Sequence, residues 1–454
     1  MLKPLREHLV PPGAKWNYVW GSAALFCFVV QVMTGIALAF LYQPSVSSAY
    51  QSIQYIQNEA FLGSFIRGLH NWGASGMVVL MGAHMTRVYL FAAYKYPREM
   101  SWISGIFLLG LTITMAMTGQ LLRWDSNAIW TGILVAEQTG RIPFIGDTIA
   151  HFFIGGSTLG GETLTRFFSM HVFLFPGLMF LFIGFHLYLV LKNGISEPTQ
   201  PGRLVDPKTY REWYSKMLKK KGVPFFPDVI WRDVVFSVGV LVVIILLAYF
   251  VGAPEITKPA DPTILETEPT PDWYFKWIYA IFATMNRFLE PYFLFFAPLF
   301  GIILLFSIPF LSRGGERSPL RRPWAIAGVI LTVVTVGSLT YAGLNADWVP
   351  AFDVKPPKNY TSIPAGEDDP LVKQGEQLFY DMKCAYCHKM GETGGKNGPE
   401  LTHVGKRLNK QQIMAQIANG GLDMPSYGGS LTSGEMHALV EFLSKERTKE
   451  VPKK

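Results

Sequence analysis

Two stretches decide how this chain folds: FIRGLHNWGASGMVVLMGAHMTRVYLF at 65–91 and RFFSMHVFLFPGLMFLFIGFHLYLVLK at 166–192. Each is apolar over the roughly 20 residues that a helix needs to cross a hydrocarbon core. Each also carries two histidines, His70 and His84 in the first, His171 and His186 in the second. The intervals are 14 and 15 residues. Both are close to four helical turns, so each pair leaves one face of its helix, about 21–22 Å apart along the axis. As second and fourth spans the two helices run in the same direction, so His70 can face His171 and His84 can face His186. Imidazole is a standard axial ligand of haem iron, and two stacked haems, each held by one histidine from either helix, follow from that geometry. The plainer alternative is polar side chains hydrogen-bonded between helices. Four histidines at matched depths argue against it.

Outward from these helices, half of the 454 residues are apolar and the mean hydropathy is +0.24, too high for a soluble globular chain. Seven spans are expected, at 17–42, 70–93, 102–122, 170–192, 229–252, 291–311 and 323–343. The expected class is all-α, a polytopic membrane helical bundle with a dihaem four-helix core. Met1 to Lys15 holds Pro4, Pro11 and Pro12 and no small-residue cleavage site, and reads as a retained N-terminus.

A net charge of +7 would suit a nucleic-acid partner, but its distribution points to a membrane instead. Basic residues crowd alternate loops: Lys3, Arg6 and Lys15; Arg87, Lys95 and Arg98; Lys192 to Arg232; and Arg313 to Arg322. These mark the cytoplasmic side. Loops 43–69, 123–169 and 253–290 are balanced or acidic and are expected outside, with everything after residue 343.

Four glycines repeat the histidine interval. Gly21 and Gly35 in the first span, and Gly105 and Gly119 in the third, are each 14 apart. Glycine is costly inside a helix. Close approach by a flat macrocycle explains it, and so does helix packing through small residues; the shared interval favours the macrocycle.

Composition breaks after the seventh span. Residues 344–369, rich in proline and acid, read as an extended linker. A small domain follows at 370–454, with helical patterns at Leu371 to Met382 and Leu431 to Lys445. Within it, Cys384-Ala385-Tyr386-Cys387-His388 is a C-x-x-C-H c-haem attachment sequence, with His388 as axial ligand. A zinc or redox pair is the alternative, but no second cysteine pair completes a zinc site. His403 lies only 15 residues after His388, and His8, His151 and His437 show no partner pattern.

These residues resemble the cytochrome b family of the bc and bf complexes over roughly 8–343. Spans one to four (domain 1–200) are most similar to the short cytochrome b of bf complexes, through RFFSMHVFLFP at 166–176 and KNGISEP at 192–198. Region 201–343 resembles their three-helix subunit IV, here in one chain. The resemblance implies two haems b at the four histidines. Pro271-Asp272-Trp273-Tyr274 stands where the family has its quinol-oxidation motif, which makes Asp272 the expected proton acceptor and Tyr274 a wall of the pocket. By chemistry alone the same tetrapeptide is an interfacial anchor. Arg67 matches the family's propionate-binding arginine; Arg98 is assigned to the inner haem or to surface anchoring. A second, inner quinone site is implied without identified residues. Met424 in the loop Gly420-Gly421-Leu422-Asp423-Met424-Pro425 resembles the sixth ligand of class I cytochromes c.

Two departures matter. The cysteine that holds an extra inner haem in bf complexes is replaced by Val19, with Cys27 a buried structural thiol, and the arginine expected after the fourth span is Leu191. The extra haem is therefore expected to be absent. Three cysteines, two of them committed to haem c, cannot build a Rieske [2Fe–2S] centre, which takes two cysteines and two histidines. The resemblance then implies a separate Rieske protein, a quinol substrate, a further c-type cytochrome or terminal acceptor, a homodimeric complex in a bacterial inner membrane, and a Q-cycle. The rival is a non-bifurcating dihaem conduit between a dehydrogenase and the quinone pool, which needs the histidines but neither the tetrapeptide nor the glycines. A c-haem sensor or docking module leaves the membrane dihaem unexplained. Pyridine haemochrome analysis of the purified chain is expected to give two haems b and one haem c; a second covalently bound haem would overturn the reading of Val19.

Overall fold

The computed structural model describes residues 8–155, 159–259, 271–286, 288–345, 369–391, 393–395, 398–420, 424, 427–428 and 430–445. The expected linker lies almost wholly outside them. Seven long helices are present: α1 (Trp20–Ala39), α2 (Gly63–Leu90), α3 (Glu99–Leu121), α4 (Gly161–Asn193), α5 (Ile230–Phe250), α6 (Glu290–Leu311) and α7 (Pro323–Asn345). By length and composition six of them are apolar enough to cross a membrane. The remaining one is α2, whose Arg67, His70, Asn71, His84 and Arg87 dilute its apolar character. The protein is a multi-pass membrane protein of mostly helical fold, and large apolar side chains on α5 to α7, such as Phe300 and Leu331, point outward, as lipid-facing residues do.

The chain groups into two compact units. One comprises Met1–Arg123, Phe167–Ile256 and Pro271–Ala346 and holds the seven-helix bundle. Helices from both expected cytochrome b regions share it, because α5 packs into the first four: Ile244 joins Ala23, Cys27 and Leu80 in one buried cluster, and a side chain at Gly68 would meet Ala248 at 3.1 Å. Close packing of this kind supplies stability where apolar burial from lipid supplies little.

Helix α4 is not regular. Its Met170–Leu174 segment is a π turn, and Pro176 lies just beyond. Proline has no N–H to give to the carbonyl four residues back and its ring crowds that carbonyl, which here belongs to Val172. A π turn takes up one extra residue. The 15-residue interval of α4 thus spans nearly the same rise and rotation as the 14-residue interval of α2.

The loops on the side where α2 ends are stitched by two short antiparallel pairings, β1 (Leu9–Val10) with β3 (Val223–Pro224) and β2 (Leu204–Val205) with β4 (Gly315–Glu316). Buried cations hold them by donating to backbone carbonyls. Arg322 gives hydrogen bonds to the Tyr89 and Leu90 carbonyls at the end of α2 (3.1 and 2.9 Å). Arg98 gives them to Gly194 and Ile195 (2.7 and 3.1 Å) and to the Tyr210 hydroxyl (2.9 Å). Arg317 pairs with Glu197 at 2.6 Å, both side chains over nine-tenths buried. The basic residues that mark this face in sequence are thus also its helix C-caps.

In the second unit, the C-terminal domain crosses α8 (Pro370–Asp381) with α9 (Ser433–Ser444). Gly375 makes the crossing possible, because a side chain there would sit 2.0 Å from the Ala438 carbonyl. Phe379 and Phe442 meet at 5.7 Å over the core. Asp369 caps α8 and a Thr432–Glu435 capping box opens α9.

Burial pushes the Glu197 carboxyl up, but Arg317, the Tyr210 hydroxyl and Arg98 outweigh it and hold the group below the usual carboxylate range. A depressed carboxyl stabilises the fold above its unfolded value, about 4.3, and loses that contribution as pH falls through the folded value. Glu197→Gln leaves Arg317 buried without its counter-charge and is expected to cost about 3 kcal/mol near neutral pH. Thermal melting of the purified protein checks this: the gap between wild type and variant should narrow as pH falls below about 4.

Candidate haem and quinol sites

The four membrane histidines meet as the intervals require. The His70 and His171 rings stand 6.3 Å apart between centroids, with planes at 75°. Two imidazoles bound on opposite sides of one metal at about 2 Å per nitrogen have centroids about 6 to 6.5 Å apart. His84 and His186 line one cavity of about 470 Å³, together with Gly21, Gly105, Arg87 and Arg98. That volume is in the range of cofactor sites.

Each glycine of the 14-residue pairs faces an imidazole directly. A Cβ would stand 3.0 Å from His84 Cε1 at Gly21, 3.2 Å from His70 Cε1 at Gly35, 3.8 Å from His186 Cε1 at Gly105 and 2.7 Å from His171 Cε1 at Gly119. At Gly21, Gly35 and Gly119 the imidazole itself fills the notch, so there the immediate reason for glycine is the histidine; at Gly105 a Cβ would make only ordinary contact with the His186 ring.

The residues before three of these glycines do further work. Thr34 Oγ1 lies 2.9 Å from His70 Nδ1, Ser104 Oγ 2.8 Å from His186 Nδ1, and Thr118 Oγ1 3.0 Å from His171 Nδ1. Each hydroxyl gives its own proton to a helix carbonyl: Val30 at 2.7 Å, Ser101 at 3.0 Å and Thr114 at 2.9 Å. It can then only accept from the ring. Nδ1 therefore carries the hydrogen, and the Nε2 lone pair is left for a metal. Trp20 precedes Gly21, so the pattern stops at His84. The Thr34-Gly35, Ser104-Gly105 and Thr118-Gly119 pairs were the legible signal for these hydroxyls, which sequence reasoning passed over.

Among the arginines, Arg67 is buried and gives hydrogen bonds to Gln57 Oε1 at 2.6 Å and the Pro254 carbonyl at 2.7 Å. Arg98 is buried at the cavity wall, with most of its donors on carbonyls. Arg87, one turn after His84, faces the same cavity and its Nε has no hydrogen-bond partner among the described residues. It lies 4.0 Å over the Tyr18 ring and was missed in sequence because it counted only as a loop charge. The donor set and the two glycine-backed imidazole pairs fit haem at both ends, and Arg87 fits an acidic side group of the macrocycle.

Pro271-Asp272-Trp273-Tyr274 belongs to the same unit. Tyr274 donates to Asp272 Oδ2 at 2.8 Å. Burial, then the adjacent Asp272 carboxylate, pushes the Tyr274 phenol well above its ordinary range. Trp273 Nε1 donates to Ser75 Oγ at 3.3 Å, and the Asp272 amide approaches Gln120 Oε1 at 3.5 Å. The tetrapeptide is therefore tied to the helices that carry His70 and Gly119.

In the C-terminal domain, His388 is buried and its Nδ1 donates to the Pro399 carbonyl at 2.8 Å. Burial keeps this imidazole below its usual value, against the pull of that carbonyl. Again a glycine makes room: a Cβ at Gly398 would sit 2.6 Å from the His388 ring. Burial pushes the Cys384 thiol up to about 12 and raises Cys387 as well. Met424 packs against the core of the domain, with Gly421, Leu422, Asp423 and Pro425 outside the described residues. His403 opens the short helix Val404–Arg407. Cys27 is fully buried against Ala23, Leu80 and Ile244, and Val19 lines the His84 cavity.

Three stretches match family models: residues 5–194 "Cytochrome b/b6/petB", 259–352 "Cytochrome b(C-terminal)/b6/petD", and 370–443 "Cytochrome C oxidase, cbb3-type, subunit III". Cytochrome b6 of Rippkaea orientalis is 41% identical over 189 residues, covering 42% of this chain and 85% of that protein. Cytochrome b6 of Acaryochloris marina is 42% identical over 189 residues, covering 42% and 88%. A chain of a hyperthermophilic respiratory Complex III superposes with a TM-score of 0.64 at 27% identity, covering 76% of this chain and 88% of that one.

The tightest notch of the membrane bundle gives a test. Gly119→Val places three carbons where the His171 ring lies and is expected to remove about half of the b-type absorbance. Retention of the full spectrum would mean that the notch is not needed for ligation.

Proposed function

We propose, from the premise that this chain belongs to the cytochrome b/b6 family and carries a cytochrome c domain, that it is the catalytic core of a quinol:cytochrome c-type oxidoreductase working by a Q-cycle. The observation that carries this reading is the Asp272–Tyr274 pair, tied through Trp273 and Gln120 to the helices of the His70/His171 site. A mere electron conduit needs no such carboxylate.

The haems, when bound, supply one-electron transfer along the α2/α4 pair and, in the C-terminal domain, to an acceptor. Everything else falls to the side chains. His70, His171, His84 and His186 present Nε2, and the hydroxyls of Thr34, Thr118 and Ser104 fix three of the four rings in that tautomer. Arg67 and Arg87 neutralise acidic groups at the two ends. Asp272 accepts a proton from a quinol hydroxyl. Its Oδ2 already accepts from Tyr274, so either Oδ1 receives the quinol hydroxyl or the tyrosine gives way. In the C-terminal domain His388 and Met424 would hold the iron, a donor set that would give a high-potential cytochrome.

Partners follow from chemistry. No Rieske cluster can be built from the cysteines of this chain, so a separate Rieske protein takes the first electron, and a further c-type cytochrome or terminal acceptor takes it from the C-terminal domain. A homodimer in a bacterial inner membrane, with the basic loops cytoplasmic and the C-terminal domain on the opposite side, suits the charge pattern. Val19 in place of a cysteine supports the absence of a further covalent haem.

Asp272→Asn keeps the shape and removes the base. Quinol oxidation by the intact complex is expected to fall by about 10²-fold or more, with haem spectra unchanged. Full activity would remove Asp272 from the mechanism, and a complex that never contains a Rieske subunit would favour the conduit.

A further inference from the structure

We propose that Gln31 gives its side-chain N–H to the macrocycle at the His70/His171 site and makes that haem easier to reduce. The inference rests on haem occupying the site. It adds a residue that neither coordinates iron nor carries charge.

Gln31 lies on α1, three residues before Thr34 and four before Gly35. Residues at those intervals share a helix face. Thr34 and Gly35 both address His70, one through a hydroxyl 2.9 Å from Nδ1 and the other through its missing side chain. Gln31 is therefore on the same stripe, about 6 Å nearer the His84 end. On the facing helix the buried Gly73 stands three residues after His70, about 4.5 Å along in the same direction. The two residues meet there, because a Cβ at Gly73 would collide with Gln31 Nε2. The carboxamide occupies the space that this glycine leaves.

That nitrogen is buried and has no hydrogen-bond partner among the described residues. The carbonyls of a regular helix are taken by its own amides four residues on. A donor left unanswered in a membrane interior costs about 1–3 kcal/mol, and Gly73 adds its own cost to α2. Leucine or methionine would fill the gap between the helices without either cost. The missing acceptor is therefore the group that fills the space beside His70. An electron-rich aromatic ring system accepts an N–H.

The sign follows from the dipole. Gln31 turns the positive end of its amide toward the macrocycle. Iron(III) that takes one electron to become iron(II) breaks no bond and gains negative charge, so this dipole favours the reduced form. The other site is served differently. Fourteen residues on from Gly73, at the corresponding place on α2, stands Arg87, whose Nε has no partner among the described residues. One site has a neutral dipole at that place and the other a full charge.

The test is an equilibrium redox titration of the purified complex with chemical mediators, following b-type absorbance. It needs neither quinol turnover nor a Rieske protein. Gly73→Ala displaces only the far end of a flexible side chain, so the bundle is expected to assemble with the donor moved. Gln31→Met removes the donor at similar volume. Each is expected to lower one haem b midpoint by about 40 mV, about five-fold in the oxidised-to-reduced ratio for one electron, and to leave the other in place. Arg87→Gln is expected to move the component that these two variants leave alone. Unchanged midpoints in both variants, with two haems b still present by pyridine haemochrome, would overturn the proposal, leaving a trapped water or helix packing as the reason for the glutamine. So would an equal shift of both components, or a shift of the one that Arg87→Gln moves. If Gln31→Met does not assemble, Gly73→Ala decides alone. Absence of haem b would remove the ligand reading as well, whereas unchanged midpoints would leave that reading standing.

Discussion

An imidazole lodged in the space of a missing Cβ is the contact on which this structure depends. It recurs four times: Gly21 under His84, Gly35 under His70, Gly119 under His171 and Gly398 under His388. Each glycine weakens its local helix or loop by up to about 1 kcal/mol against alanine. In return a ring is held close to a neighbouring backbone, with its rotamer and orientation set. In the membrane pairs this also fixes how closely α1 meets α2 and α3 meets α4, since the notch and the ring lie on opposite helices.

Orientation alone would not make a ligand. The low dielectric of the helix interior makes an unpaired ring nitrogen costly, and at three of the membrane histidines a hydroxyl already committed to a backbone carbonyl supplies the acceptor. In the C-terminal domain the Pro399 carbonyl does so directly. Two unrelated units thus reach the same solution, a glycine for room and an oxygen on Nδ1. The same economy governs the loops near the end of α2, where buried arginines answer helix-end carbonyls that would otherwise face neither water nor a partner. A charge pattern usually read as a topological signal is in this protein also a set of caps.

Much of the site was legible from spacing because helices convert sequence interval into height and angle. His70 and His84, the 14-residue glycine pairs, the C-x-x-C-H attachment and the tetrapeptide at 271–274 are all local, periodic or contiguous features. What escaped was of another kind. Arg87 counted as one more loop charge, while Arg98 was assigned to haem; which guanidinium keeps a free donor toward the cavity depends on where the 193–195 carbonyls fold back, more than 90 residues away in the chain. The glycines were assigned to a macrocycle, since no sequence interval says that the ring of the facing helix comes first.

The one-residue difference between the histidine intervals shows the division best. By itself the sequence determined that four histidines sit at two depths on two spans, and that a proline lies five residues beyond His171. Only the tertiary structure decided that this proline opens a π turn at Met170–Leu174 and so absorbs the extra residue. Periodicity encodes the average path of a helix. A local defect in that path is settled by which neighbouring backbone the helix must meet, in this case the regular α3 with Gly105 and Gly119 at 14 residues.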